Sequence, residues 1–260
     1  MPEMTASPSL LEQLWSGALD LVFAPVCVAC GGAIATADSE RMVCRLCWLR
    51  CRPLPSPRCP RCWSPRLLDA EPEPACRTCR EWPASVRAIR SAFVIGDAPR
   101  AMVHALKYRG WEGVADRMAA KMASLIDFPR DVDEEGKLVI PVPTSAARRR
   151  ERGYNQAELL ARGFAARTGR VTDATLLVRT RATATQTALH PSERRANVAR
   201  AFAVPPERAA ELRGEHVVLV DDVWTTGATA LACVEALLEA GARVASVATF
   251  ARVVPELERL

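Results

Sequence analysis

Eight cysteines fall in four Cys-x-x-Cys pairs, and their spacing restricts the first third of the chain more than any other feature. The pairs are Cys27/Cys30, Cys44/Cys47, Cys59/Cys62 and Cys76/Cys79; adding 32 to each of the first four positions gives the last four, with 13 residues between the pairs in both copies. A Cys-x-x-Cys turn presents two thiolates to one side of a metal, and two such turns complete a tetrahedral site. Each repeat therefore contains the ligands of one four-thiolate zinc site. Sequential pairing within a repeat makes each copy self-sufficient, and interleaved pairing uses the same eight residues. A four-thiolate site has no open coordination position, so its role is structural. About 60 residues rich in proline and poor in large apolar groups need such a metal to fold. Disulfides or a redox pair are the competing uses of the thiols. Cys51 and Cys233 stand outside the repeat; Cys51 reads as a buried small residue or a spare thiol rather than a ligand, and Cys233 as core.

Nine of the ten cysteines lie between Cys27 and Cys79, which marks a boundary. With 260 residues the chain accommodates a small module over residues 1–85 and an α/β domain over residues 86–260. Apolar residues at 49% and charged residues at 25% exclude a disordered tail. Residues 10–22 repeat Leu10, Leu11, Leu14, Trp15, Ala18, Leu19 and Val22 at helical spacing, interrupted by Glu12, Gln13 and Asp20, which predicts a docked amphipathic helix rather than a membrane span. No leader pattern opens the sequence, so the expected compartment is the cytoplasm. The net charge of +5 is modest, and attraction to polyanions must come from clusters. Between Arg41 and Arg66 there are seven arginines and no acid, with Trp48 and Trp63 interleaved. That composition suits single-stranded DNA, and it equally suits packing between the ribbons and the second domain.

From residue 86 onward, strand-like and helix-like runs alternate, which predicts a parallel sheet with helices on its faces. Strands are expected over Ser91–Ile95, Leu138–Val142, Leu176–Arg179, Val217–Val220 and Val244–Phe250. Helices are expected over Ala98–Tyr108, Gly113–Ile126 and Gly227–Ala240, with another capped by Asn155 and stopped after Thr168 by Gly169. Asp127–Gly136 reads as turns, and Thr180–Val204 as a long functional loop.

Within this domain, Val217–Val220 is an apolar run followed by Asp221, Asp222 and the turn Thr225-Thr226-Gly227-Ala228-Thr229. Ligands of open α/β sheets bind at such a carboxyl edge. A helix start offers free N–H groups and a positive dipole end to a phosphate, and the threonines add hydroxyls. Acids would repel that phosphate, so the carboxylates suit sugar hydroxyls or a magnesium ion beside it. Phosphate, diol and acids together describe a ribose 5-phosphate.

This stretch resembles the diphosphoribosyl-binding signature of the type I phosphoribosyltransferases. The resemblance implies that Asp221 and Asp222 hold the ribose hydroxyls and act catalytically, while Thr225, Thr226, Gly227, Ala228 and Thr229 cradle the 5′-phosphate of phosphoribosyl diphosphate. Ile140–Thr144 runs a strand into a turn followed by Arg148-Arg149-Arg150-Glu151-Arg152, which stands where that fold takes the diphosphate. Thr144, Arg148, Arg152 and Lys107 become the diphosphate contacts, with magnesium as cofactor. The run His104–Gly110, the run Arg179–Phe202 and the double zinc ribbon extend the resemblance to the ComF family, which includes GntX-like proteins, over nearly the whole chain. That family implies a role in DNA uptake and natural transformation with an undefined acceptor. It leaves open a non-catalytic module that senses the same ligand while binding single-stranded DNA.

Overall fold

A computed structural model describes residues 25–34, 42–66, 74–180 and 201–255. The helix expected over residues 10–22 and most of the loop after Thr180 lie outside them. The described chain opens with the first cysteine turn, the short helix α1 (Arg45–Leu49) and the second ribbon. It then enters β1 (Val86–Val94), which leads into α2 (Asp97–Tyr108), α3 (Gly113–Leu125) and α4 (Arg130–Glu135). The middle of the domain is β2 (Leu138–Pro141), α5 (Ala146–Arg152), α6 (Gln156–Thr168), β3 (Val171–Thr172), β4 (Val178–Arg179) and β5 (Phe202–Ala203). It closes with β6 (His216–Trp224), α7 (Ala228–Glu239) and β7 (Val244–Arg252).

Five strands form one sheet in the order β1-β7-β6-β2-β3, every pairing parallel. Its central strands are buried on both sides, as parallel strands under helices must be. Successive residues of β6 point to opposite faces. Val218 and Val220 join a core with Met102, Leu106, Met118, Met122 and Phe164 from α2, α3 and α6. Val217 and Leu219 join a second core with Ala230, Cys233 and Leu237 of α7.

Local chemistry accounts for the α6 boundaries. The Asn155 side chain accepts a hydrogen bond from Ala157 N at 3.2 Å, and Gly169 ends the helix in the left-handed region at φ +65°. Elsewhere the structure departs from expectation. Residues read as turns form α4, the arginine run forms α5 behind a Ser145 cap, and β3 was not foreseen. The run at Leu176–Arg179 leaves the main sheet: only Val178–Arg179 is extended, paired antiparallel with β5.

The 32-residue repeat is also a repeat of geometry. Cys27 N donates to Gly32 O and Cys59 N to Ser64 O, both at 2.8 Å. Antiparallel bridges Val26–Ala33 and Arg58–Pro65 close the two turns at equivalent positions. Gly31 and its counterpart Trp63 both have positive φ, 72° and 56°. A tryptophan in this region is strained. Here its ring is buried between two guanidiniums, Arg58 at 3.6 Å and Arg90 at 4.8 Å from the centroid. Arg90 comes from β1 and also donates to Pro60 O and Asp127 O.

The ribbons cover the outer edge of β1, where Ile89 N donates to Arg61 O and Val94 N to Arg52 O, both at 2.9 Å. Cys27, Val28, Ile34 and Cys47 pack into the α2/α3/α6 core, whereas Cys59, Cys62 and Cys79 pack into the α7 core. The two cysteine groups thus sit on opposite faces of the sheet.

Candidate functional site

The cysteines gather as Cys27/Cys30/Cys44/Cys47 and Cys59/Cys62/Cys76/Cys79, the sulfurs of each group all within 4.8 Å of one another. Sequential pairing is therefore the arrangement found. Tetrahedral thiolates about 2.3 Å from zinc lie roughly 3.8 Å apart. The observed separations are Cys30–Cys44 3.9 Å, Cys59–Cys79 3.6 Å, Cys62–Cys76 3.5 Å and Cys76–Cys79 3.7 Å. Cys44 N donates to Cys27 Sγ at 3.3 Å, orienting that ligand. Both groups fit a closed zinc site. Cys51 takes no part: its thiol donates to Cys47 O at 3.2 Å.

The α/β site forms where β2 and β6 part. The β2–β6 ladder ends at Pro141–Val220, while β6 continues beside β7 to Trp224–Arg252. Asp221 and Asp222 occupy the first positions that β2 no longer covers, inside the strand rather than at its tip. A cavity of about 390 Å³ opens there, walled by Lys107, Thr144, Arg148, Gln156, Arg179 and the segment Asp221–Thr225. Gly227, Ala228 and Thr229 close it at the start of α7.

Asp222 is buried and tied on both oxygens: Lys107 pairs with Oδ2, and Gln156 Nε2 donates to Oδ1 at 3.3 Å. Burial pushes the Asp222 carboxyl up, but the adjacent Lys107 ammonium, together with hydrogen bonds to Asp221 and Gln156, outweighs it and holds Asp222 below the usual range. Lys107 in turn is kept charged against its own burial by the two carboxylates. For Asp221, burial and the Asp222 charge push its carboxyl well above the usual range. Its Oδ1 accepts from Asp222 N at 2.8 Å.

The turn from β6 into α7 is shaped by Gly227 at φ +78°, where a Cβ would run into the Trp224 ring. Only glycine meets both conditions. Thr226 Oγ1 accepts from Ala228 N at 3.4 Å and caps the helix, so Thr226 shapes the turn, while Thr225 and Thr229 line the cavity.

Of the four residues expected to contact diphosphate, Thr144, Arg148 and Lys107 line the cavity. Arg152 does not. It stands over the Tyr108 ring at 4.9 Å and donates to Gln156 Oε1 at 2.9 Å, orienting the glutamine that holds Asp222. Residues not singled out from sequence are Gln156, Arg179 and Trp224. Arg179 opens a run that carries the family resemblance, and Gln156 directly follows the helix cap Asn155. Trp224 follows the acid pair by two positions.

A parallel sheet carrying an acid pair and a threonine-rich helix start at its strand switch defines a phosphoribosyltransferase-type domain. The chain belongs to the phosphoribosyl transferase domain family, whose profile matches residues 117–258. With its cysteine ribbons it is of the ComF type. It is similar to the DNA utilization protein YhgH of Salmonella typhimurium (strain LT2), 30% identical over 191 residues, covering 73% of this chain and 81% of that one. It is similar also to the competence protein ComFC of Bacillus subtilis (strain 168), 26% identical over 234 residues, covering 84% and 86%. Among solved structures, the glutamine phosphoribosylpyrophosphate amidotransferase from B. subtilis aligns with TM-score 0.34 and 21% identity, over 52% of this chain and 26% of that chain. Among the described residues, no helix is long and apolar enough to cross a membrane.

Proposed function

We propose that the chain binds phosphoribosyl diphosphate with magnesium and transfers its ribosyl phosphate to an acceptor. The observation that carries the reading is one cavity in which Asp221 and Asp222 stand between the Thr225–Thr229 turn and the Thr144–Arg148 turn. The positive dipole end and the backbone N–H groups at the start of α7 suit the 5′-phosphate. Asp221 and Asp222 suit the ribose hydroxyls, and Arg148 with Lys107 suits the diphosphate. In the transfer, the bond from ribose C1 to the diphosphate oxygen breaks, a nucleophilic atom of the acceptor bonds to C1, and pyrophosphate leaves. The residues contribute positioning and electrostatic stabilisation of the departing charge. The donor set fits magnesium carried in on the diphosphate, because that ion takes one or two carboxylates and completes its shell with substrate oxygens; Asp221 is the ligand nearest to hand, and the ion would neutralise charge on the leaving group. Zinc is proposed for both cysteine groups, and the cytoplasm is the expected compartment.

The names of the relatives extend the reading to DNA utilisation and competence, with single-stranded DNA and DNA-uptake proteins as partners. The arginine run divides on this point. Arg58 and Arg61 are spent within the fold, Arg61 donating to Cys79 O, Trp82 O and Val86 O, while Arg45 and Arg50 of the α1 region are exposed. Titration calorimetry tests both readings in one series. Wild type is expected to bind phosphoribosyl diphosphate with magnesium, and Asp221→Asn/Asp222→Asn to lose at least about 100-fold in affinity. A single-stranded oligonucleotide should bind with affinity that falls steeply with salt. Absence of donor binding by wild type rejects the transferase reading, and negligible oligonucleotide affinity at low salt rejects the DNA one.

A further inference from the structure

The two cysteine groups are not equivalent with respect to the ligand cavity. The wall beneath the phosphate turn is Trp224, a buried ring whose six-membered edge fills the space that a side chain at position 227 would need. Two residues support that ring, and both lead to the second cysteine group. Trp82, three residues after the ligand Cys79, meets it at a centroid distance of 5.9 Å and an angle of 56°. The buried Arg252 guanidinium stands 5.3 Å from the Trp224 centroid and donates to the carbonyl of Cys62, itself a member of that group. Backbone bonds tie the same parts together, since Val253 N donates to Trp224 O at 2.9 Å and Trp82 N to Cys79 O at 3.2 Å. Among the described residues, the first group shows no indole or guanidinium contact of this kind to the Trp224 ring. It packs into the α2/α3/α6 core, and its tryptophan, Trp48, meets Phe93 at 6.4 Å.

We infer that Trp224 and Arg252 are positioning residues that tie the phosphate turn to the second cysteine group, so that this group sets ligand affinity while the first contributes to stability. The inference rests on the reading of Thr225–Thr229 as a 5′-phosphate turn. A ring held by an arginine and a second indole cannot shift without moving Gly227 and the N–H groups that follow it. Loss of metal from Cys59/Cys62/Cys76/Cys79 frees both supports together. Loss from Cys27/Cys30/Cys44/Cys47 leaves them in place. The ribbon facing the cavity becomes a metal-dependent control on donor binding.

The test uses the full zinc-loaded chain and two readouts. Arg252→Met and Trp82→Leu are compared with Trp48→Leu, each first checked for a cooperative melt. Amide hydrogen exchange at residues 225–229 reports the turn without any ligand, and calorimetry reports affinity for phosphoribosyl diphosphate with magnesium. Arg252→Met and Trp82→Leu are expected to speed exchange at the turn and weaken binding about tenfold. Trp48→Leu is expected to lower the melting temperature with turn exchange and affinity unchanged. Should Arg252→Met not fold, Trp82→Leu decides alone. Wild-type exchange rates at the turn in Arg252→Met or Trp82→Leu overturn the inference, as does equal acceleration in Trp48→Leu. Accelerated exchange confined to the second-ribbon variants, in a chain that binds no donor, supports the coupling and removes the transferase reading instead.

Discussion

Lys107 does more at the residue scale than contact a ligand. It is the one cation paired with Asp222 among the described residues, and a carboxylate buried to this degree keeps its charge only beside such a partner. Because the folded-state pKa of Asp222 is depressed, its contribution to stability is present above the unfolded value of 3.8 and is lost as pH falls through the folded value. Lys107→Met removes the largest cause of the depression. The acid limb of donor binding should move up by on the order of one pH unit or more, whereas Lys107→Arg should leave it near the wild-type position. An acid limb that does not move in Lys107→Met would falsify the assignment. Adjacent acids before a threonine turn were legible in sequence as residues of one strand-edge site. Their unequal states were not, because the lysine that divides them is 115 positions away (222 − 107) on another element. Arg152 shows the same limit from the other side: an arginine next to a glycine reads as a diphosphate ligand, and only the fold sends it to Tyr108 and Gln156.

At the scale of elements, the readable boundaries are those set by neighbouring residues. The Asn155 cap and the Gly169 stop act within a few positions, and α6 begins and ends where they place it. Elements that depend on a distant partner were misjudged. The two residues of β3 are a strand only because β2 lies beside them, and β4 leaves the main sheet because β5 pairs with it instead. Similarly, β6 runs four residues beyond Val220 because β7 continues to pair with it after β2 has turned away. The turn from β6 into α7 has the narrowest tolerance. Gly227→Ala adds a left-handed backbone penalty of about 1 kcal/mol or more to the cost of displacing a packed ring. A loss of about 2–4 kcal/mol in urea unfolding is expected, with donor binding abolished. Wild-type stability in that variant would contradict the geometry of the turn.

Over the whole molecule, the composition shift at the last cysteine pair divides the sequence, yet the buried cores do not stop there. Both cysteine groups contribute to cores that the α/β domain completes, and the outer edge of its sheet is sealed by ribbon backbone. The repeat was plain in the cysteine spacing, whereas its asymmetry rests on Trp63. Glycine takes the left-handed position freely in the first copy. In the second, tryptophan holds it between Arg58 and Arg90, and Arg90 arrives 27 residues later in the chain (90 − 63), on β1. The left-handed residue of the first ribbon needs no such distant support, whereas that of the second must wait for a strand that is itself stable only within the sheet. Were both groups to take zinc, the first would be expected to fill early and locally and the second late, as a report that the domain has formed. Refolding in cobalt, followed by thiolate absorbance and far-ultraviolet circular dichroism together, should show two uptake phases, the slower coincident with sheet formation and selectively delayed by Arg90→Leu. A single phase unaffected by that substitution would remove the ordering.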